Sequence, residues 1–210
     1  MKSIYIFGTG GLAKEAAMLI RNINKASDKY LLKGFVEIAT PEQNTLLNVP
    51  IFSEEKTQDW YHEDSAYIIA IANSKTKESI YRKFPSLQYP NFVHPLSFVD
   101  EETIQMGQGN IVLMNCTLST HVSMGNFNTL CYQTTIGHET IIGSFNSFYP
   151  QSCISGEVII EDQCEFGANS TILQNLHIVK GSIIGASCLV TKSIHTKGTY
   201  IGVPHQRMGT

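Results

Sequence analysis

A six-residue period governs the second half of this chain. Stepping by six from Met106 gives Val112, Leu118, Met124, Leu130, Ile136, Ile142, Phe148, Ile154, Ile160, Phe166, Ile172, Ile178, Ile184 and Val190, all apolar. At 42% apolar residues overall, chance produces such a run about twice in a million trials. Glycine often follows the apolar residue, at Gly107, Gly125, Gly137, Gly143, Gly167 and Gly185. Four residues after it the side chains are small or β-branched, from Asn110 and Cys116 to Ser182 and Cys188, with Leu176 the large exception. A period of six fits neither a helix nor a single strand. It fits a chain that turns a corner every six residues, so that three sides make one coil of 18 and five coils stack from about 104 to 193. The apolar and small residues then point inward, and adjacent coils pair as parallel strands about 4.8 Å apart. The glycines are expected to relax the corners.

The first 95 residues read differently. Residues 3–7 form a buried strand pattern that runs into Gly8-Thr9-Gly10-Gly11-Leu12-Ala13, followed by an amphipathic stretch from about 12 to 24. Strand, glycine turn and helix in this order let a backbone approach phosphate groups at a helix N-terminus. Gly8, Gly10 and Gly11 are therefore candidates for substrate binding. A second strand over 31–36 ends in Glu37, and a third over 66–72 ends near Asn73; both residues join that candidate set. A helix around 76–83 and a strand over 89–93 complete the unit. A nicotinamide site would need a second half-sheet, and the remaining length goes to the six-residue repeat. A sugar or nucleotide site fits better. The expected domains are thus 1–95, a Rossmann-like α/β half domain, and 96–210, a β-helix.

Charge is uneven between the halves. Residues 1–95 carry 11 Lys+Arg and 10 Asp+Glu, against 4 and 8 in residues 96–210. So few charges over 115 residues point to a surface partly covered by a subunit partner. The net charge of -3 gives no footprint for nucleic acid or lipid headgroups. The N-terminal apolar stretch is too short for a signal sequence or a membrane span. Five cysteines without metal-ligand spacing suit a reducing compartment, and no metal site is expected.

Several segments together carry a resemblance: IFGTGGLAKE at 6–15, GFVE at 34–37, FVHP at 92–95, TIGHETIIG at 135–143, ISGEVII at 154–160 and IGVP at 201–204. Over nearly its whole length the chain resembles the sialic acid O-acetyltransferases of NeuD type, a family that also holds bacterial UDP-amino-sugar and perosamine N-acetyltransferases. The resemblance implies a left-handed parallel β-helix, acetyl-CoA as acyl donor, a homotrimer with each active site built from two chains, and a role in glycan biosynthesis in a bacterial cytoplasm.

Stacking at 18 supplies candidate catalytic residues. His138 lies two residues after the inward Ile136, near a corner and facing out. A histidine there suits general-base catalysis, because its proton affinity lies near neutrality. Thr120, His138, Gly156 and Gln174 form one column, with His121 and Glu139 on the next. Glu139 either orients the imidazole or forms a plain ion pair with His121. Gly156 leaves space beside His138, and its N–H is placed to stabilise an oxyanion. The resemblance likewise makes the histidine matching His138 the base and the glycine matching Gly156 the amide donor. It places coenzyme A along a groove between subunits, and the candidates there are Ser147, Gly156, Ala168, Ala186 and Lys192, with Lys197 also basic. Ser147 stands where many members carry a second histidine, and Gly202-Val203-Pro204-His205 replaces the commoner G-x-P-A ending. His94 reads as a turn residue. Three readings stay open: an N-acetyltransferase for a nucleotide-linked amino sugar, an O-acetyltransferase for sialic acid or another sugar, and a non-catalytic sugar-nucleotide binding protein.

Overall fold

A computed structural model describes residues 1–38 and 41–209. Contacts divide the chain into two compact units, Met1–Pro95 and Leu96–Thr210.

The first unit runs β1 (Lys2–Phe7), α1 (Gly11–Ala26), β2 (Tyr30–Glu37), β3 (Thr45–Leu46), β4 (Val49–Ser53), β5 (Ala66–Ile69), α2 (Ser74–Lys83) and β6 (Phe92–Val93). Its sheet has the order β3-β4-β2-β1-β5, parallel throughout except for the β3–β4 hairpin. Helix α1 buries Ala13, Ala16, Ala17, Leu19, Ile20 and Ile23, one stripe at helical spacing. The small residues at 13, 16 and 17 let its backbone approach the sheet closely. An aromatic cluster lies in the core: Trp60 meets Phe7 edge-on at 5.3 Å and Phe84 at 5.2 Å. One element is new and two expectations change. The hairpin β3–β4 lacks enough alternation to read as strands; its turn, Leu47-Asn48, has φ of 52° and 62°, the mirror-image turn that suits hairpins. The strand expected over 66–72 ends at Ile69. The one expected over 89–93 shrinks to Phe92–Val93, as a short apolar run does not by itself report its pairing.

The second unit is a parallel β-helix. Two-residue strands recur every six residues from Gln105–Met106 to Leu189–Val190, and up to Thr171–Ile172 each pairs in parallel with the strand 18 residues on. Three faces result. The first carries Ile141–Ile142 and Ile159–Ile160, the second Ser147–Phe148 and Glu165–Phe166, and the third Thr135–Ile136 and Cys153–Ile154. The apolar positions from Val112 to Val190 are buried. So are the small ones, except Leu176, whose larger side chain stays half-buried.

The corners correct the role expected for glycine. The left-handed residue of each corner sits three places after the apolar one: Asn115, His121, Phe127, Gln133, Glu139 and onward through Gly181 and Ser187, with φ between 54° and 71°. Gly137 and its equivalents do not take this conformation; they let coils stack. A Cβ on Gly137 would lie 2.4 Å from the Gly156 nitrogen, and one on Gly167 2.4 Å from that of Ala186. A buried asparagine ladder fixes the register. Asn110 Oδ1 accepts from the Asn128 N–H at 2.8 Å and Nδ2 at 3.1 Å. Asn128 Oδ1 accepts likewise from Asn146, at 2.9 and 3.0 Å, and Asn146 Oδ1 from the Cys164 N–H at 2.7 Å. Beside it, Phe148 and Phe166 stack with centroids 4.7 Å apart and planes 3° from parallel.

Two tests follow from this packing. Asn128→Ala strips buried partners from Asn146 and from the Gly143 carbonyl and should destabilise the unit by about 2–4 kcal/mol in denaturant unfolding. Burial raises the thiols of Cys116 and Cys164 to about 11 and pushes Cys188 up as well. These three should resist a thiol reagent at pH 8 until the protein is unfolded. From pH 9 towards 11 stability should fall, because unfolded thiols ionise there while the folded ones remain protonated.

Candidate functional site

The corner between the third and first faces carries Thr120, His138, Gly156, Gln174 and Lys192, one per coil. The corner turns immediately afterwards, at His121, Glu139, Glu157 and Asn175, with φ of 58°, 56°, 59° and 61°. This fixed conformation aims the side chain of Glu139 back at its neighbour. His138 Nδ1 and Glu139 Oε2 are 3.0 Å apart. A carboxylate only accepts, so Nδ1 carries the hydrogen and Nε2 presents a lone pair. His121 bonds Thr120 Oγ1 through its own Nδ1 at 2.7 Å. Glu139 thus pairs with His138 rather than with His121.

The imidazole lies over the next coil. A Cβ built on Gly156 would sit 2.5 Å from His138 Nε2 and 2.7 Å from Cε1. Glycine therefore gives the ring its seat, and Gly156 itself is buried. The space expected beside Gly156 is occupied by the ring. Its carbonyl accepts from the Asn175 N–H at 3.2 Å. Both side chains of the pair are open to solvent, His138 at 51% and Glu139 at 62%. His94 differs: it is buried, and burial, then Lys25, lowers its affinity for a proton.

Sequence reasoning missed Glu157. Its N–H donates to the His138 carbonyl at 2.8 Å, and ligand atoms of His138, Glu139 and Glu157 lie within 4.8 Å of one another. Continuing the column His121, Glu139 by one more step of 18 would have found it. The trio is exposed on a convex edge, a poor enclosure for a metal ion.

The candidates for coenzyme A do not share one surface. Gly156 and the exposed Lys192 stand on the His138 corner. Ala168 and Ala186 stand on the corner between the second and third faces. Ser147 lies on the second face, buried, between Thr129 and Glu165.

In the first unit, the glycine turn leaves the C-terminal end of β1, where ligands of open α/β sheets bind. Gly8 has φ +104°, and a Cβ there would press on the Ala70 carbonyl at 3.0 Å. Gly10 precedes α1 with no side-chain cap, and a Cβ on Gly10 or Gly11 would meet nothing within 4 Å. The first N–H groups of a helix have no partner within it, and the turn leaves open space beside them. Thr9 Oγ1 donates to Glu37 Oε2, and the Ile38 N–H donates to Oε1 at 3.1 Å. Thr9 and Glu37 line a cavity of about 400 Å³ with Lys14, Glu42 and Gln43. Gly8, Gly10, Gly11 and Asn73 stand outside its lining. Asn73 caps α2, its Oδ1 accepting from the Thr76 N–H and Oγ1 at 3.0 Å each, so that oxygen is already committed. Among the described residues, no helix is long and apolar enough to cross a membrane.

Comparison with known proteins follows the same division. Residues 3–84 match the PglD N-terminal domain. No curated protein sequence matches the chain. Among solved structures, PerB of Caulobacter crescentus, in complex with CoA and GDP-perosamine, superposes with a TM-score of 0.89 at 20% identity, over 100% of this chain and 98% of that one. The acetyltransferase domain of PglB from Neisseria gonorrhoeae gives 0.88 at 17% identity, over 99% and 100%. WeeI from Acinetobacter baumannii gives 0.85 at 25% identity, over 99% and 100%. The chain thus joins a segment matching the PglD N-terminal domain to a parallel β-helix, and has the fold of the hexapeptide-repeat sugar acetyltransferases.

Proposed function

We propose that this protein transfers an acetyl group from acetyl-CoA to the amine of a nucleotide-linked amino sugar, with His138 as general base. The observation that carries this reading is the His138–Glu139 pair, held at 3.0 Å, with no hydrogen bond to Nε2 among the described residues and the ring seated on Gly156. The acceptor enters as an ammonium and loses one proton to solvent. Its nitrogen lone pair attacks the thioester carbonyl carbon, and His138 Nε2 takes the second proton as the C–N bond forms. The tetrahedral oxyanion then collapses, the C–S bond breaks, and the imidazolium returns its proton to the departing thiolate. The products are the amide and the free thiol of coenzyme A. The Gly156 N–H is the oxyanion donor in this scheme.

Spacing supports the donor's path. Lys192 stands three coils beyond His138 on the same corner, about 14 Å away at one parallel-strand spacing per coil. That distance suits a thioester at His138 with phosphates near Lys192. The split of the remaining candidates over two corners supports a homotrimer, in which the Ala168–Ala186 edge of one chain faces the His138 edge of another. The exposed Ile141 and Ile159 on the first face also favour association. In the first unit, the glycine turn suits a pyrophosphate and Glu37 a ribose or base, supported by the cavity it lines. PerB and PglB, solved with CoA or acetyl-CoA, share the fold and support the donor class.

Thiol release from acetyl-CoA, measured against UDP-, dTDP- and GDP-linked amino sugars and free sialic acid, tests the reading. His138→Ala should lower kcat about 10²- to 10⁴-fold while leaving CoA binding intact. Turnover with sialic acid alone would select O-acetylation, and absence of CoA binding would select a non-catalytic role. Gly156→Ala should displace the imidazole, cutting kcat about 100-fold or more and shifting the His138 ring resonances, with little change in circular dichroism. Sedimentation should give three times the chain mass.

A further inference from the structure

Within the His138, Glu139 and Glu157 trio, Glu157 is the member that the outlined reaction leaves without a task. Its backbone is tied to His138 by the 2.8 Å bond to the carbonyl, and its carboxylate makes no hydrogen bond or ion pair among the described residues. Two carboxylates therefore share one imidazole within 4.8 Å. Glu139 is accounted for, since it fixes the tautomer. A second negative charge so close costs about 1 kcal/mol in water and more where water is excluded. The fold does not ask for it either. The corner conformation, with φ of 59° at Glu157, favours asparagine or glycine, and the chain uses Asn115, Asn175 and Gly181 at some equivalent places and Phe127, Gln133 and Ser187 at others, so the turn requires no carboxylate.

We infer that Glu157 determines specificity for the acceptor, seating the ammonium of an amino sugar beside His138 and so favouring amines over hydroxyl acceptors. The inference rests on the acyl-transfer reading. With a neutral imidazole the trio carries a charge of -2, and with an imidazolium -1, so it attracts a cation at every stage of the cycle. A hydroxyl acceptor brings no charge to match, and two carboxylates oppose the alkoxide character that its attack would develop. An ammonium has three N–H donors. It can give one to Glu157 and still hold its nitrogen near Nε2. Glu157 acts in binding, so its effect falls on KM and on the choice between acceptors, whereas the effect of His138 falls on kcat.

The test uses the full-length protein and Glu157→Gln, which keeps size and hydrogen bonding but removes the charge, with Glu157→Asp as the charge-conserving control. Binding by calorimetry and steady-state thiol release are measured with UDP-, dTDP- and GDP-linked amino sugars, each paired with the sugar bearing a hydroxyl in place of the amine. The wild type should bind the amine member of one pair about five- to tenfold more tightly, with KM rising with salt. Glu157→Gln should erase that preference and the salt dependence while changing kcat less than about threefold, and Glu157→Asp should restore part of it. Equal affinity for both members of every pair, binding of neither, or an equal loss for amine and hydroxyl in Glu157→Gln would overturn the assignment. Selective amine binding without turnover would leave the seat standing and overturn the transferase reading instead.

Discussion

Everything in the second unit depends on the left-handed residue that turns the chain at each corner. Strands of two residues cannot hold a parallel sheet alone, because each contributes few ladder hydrogen bonds. The corners make the path periodic, so that up to Ile172 strand residues meet those 18 positions on. Once the period is set, small effects accumulate along columns. Glycines let backbones approach, the asparagine ladder satisfies buried polar groups in series, and the phenylalanines stack face to face.

The same corner that shapes the coil shapes the candidate site. Glu139 reaches His138 because it is the left-handed residue, and this turns its side chain toward the preceding one. His138 lies flat because the next coil offers Gly156 underneath. Glu157 arrives one coil later by the same rule. The site is therefore built on a rigid edge and needs no loop to position it, which suits a reaction whose rate depends on the alignment of a base, a carbonyl and an incoming nitrogen. An exposed convex edge does not exclude water, and in the proposed trimer a second chain would close over it.

The first unit contributes binding chemistry of a different kind. Its glycine turn and helix N-terminus offer backbone N–H groups, and its acidic residue at the end of β2 is held by Thr9 and by the Ile38 N–H. None of these groups moves protons in the proposed reaction. In the proposed function they suit the phosphates and the ribose of a nucleotide-linked acceptor.

Much of this was legible in the residues themselves. The period of six determines the β-helix, because no other regular structure repeats at that spacing, and it placed His138 and Gly156 on one column without a coordinate. Glycine after a strand and before an amphipathic stretch determined the turn at Gly8–Gly11. The hairpin at 45–53, the cap made by Asn73 and the left-handed position of each corner were decided by backbone geometry, which composition does not encode. The seat of the imidazole on Gly156, the separation of Ala168 and Ala186 from His138, and the arrival of Glu157 were likewise settled only in three dimensions. The physical reason is that a repeat specifies which residues share a column, whereas the direction of each side chain depends on φ, ψ and the neighbour it meets one coil away.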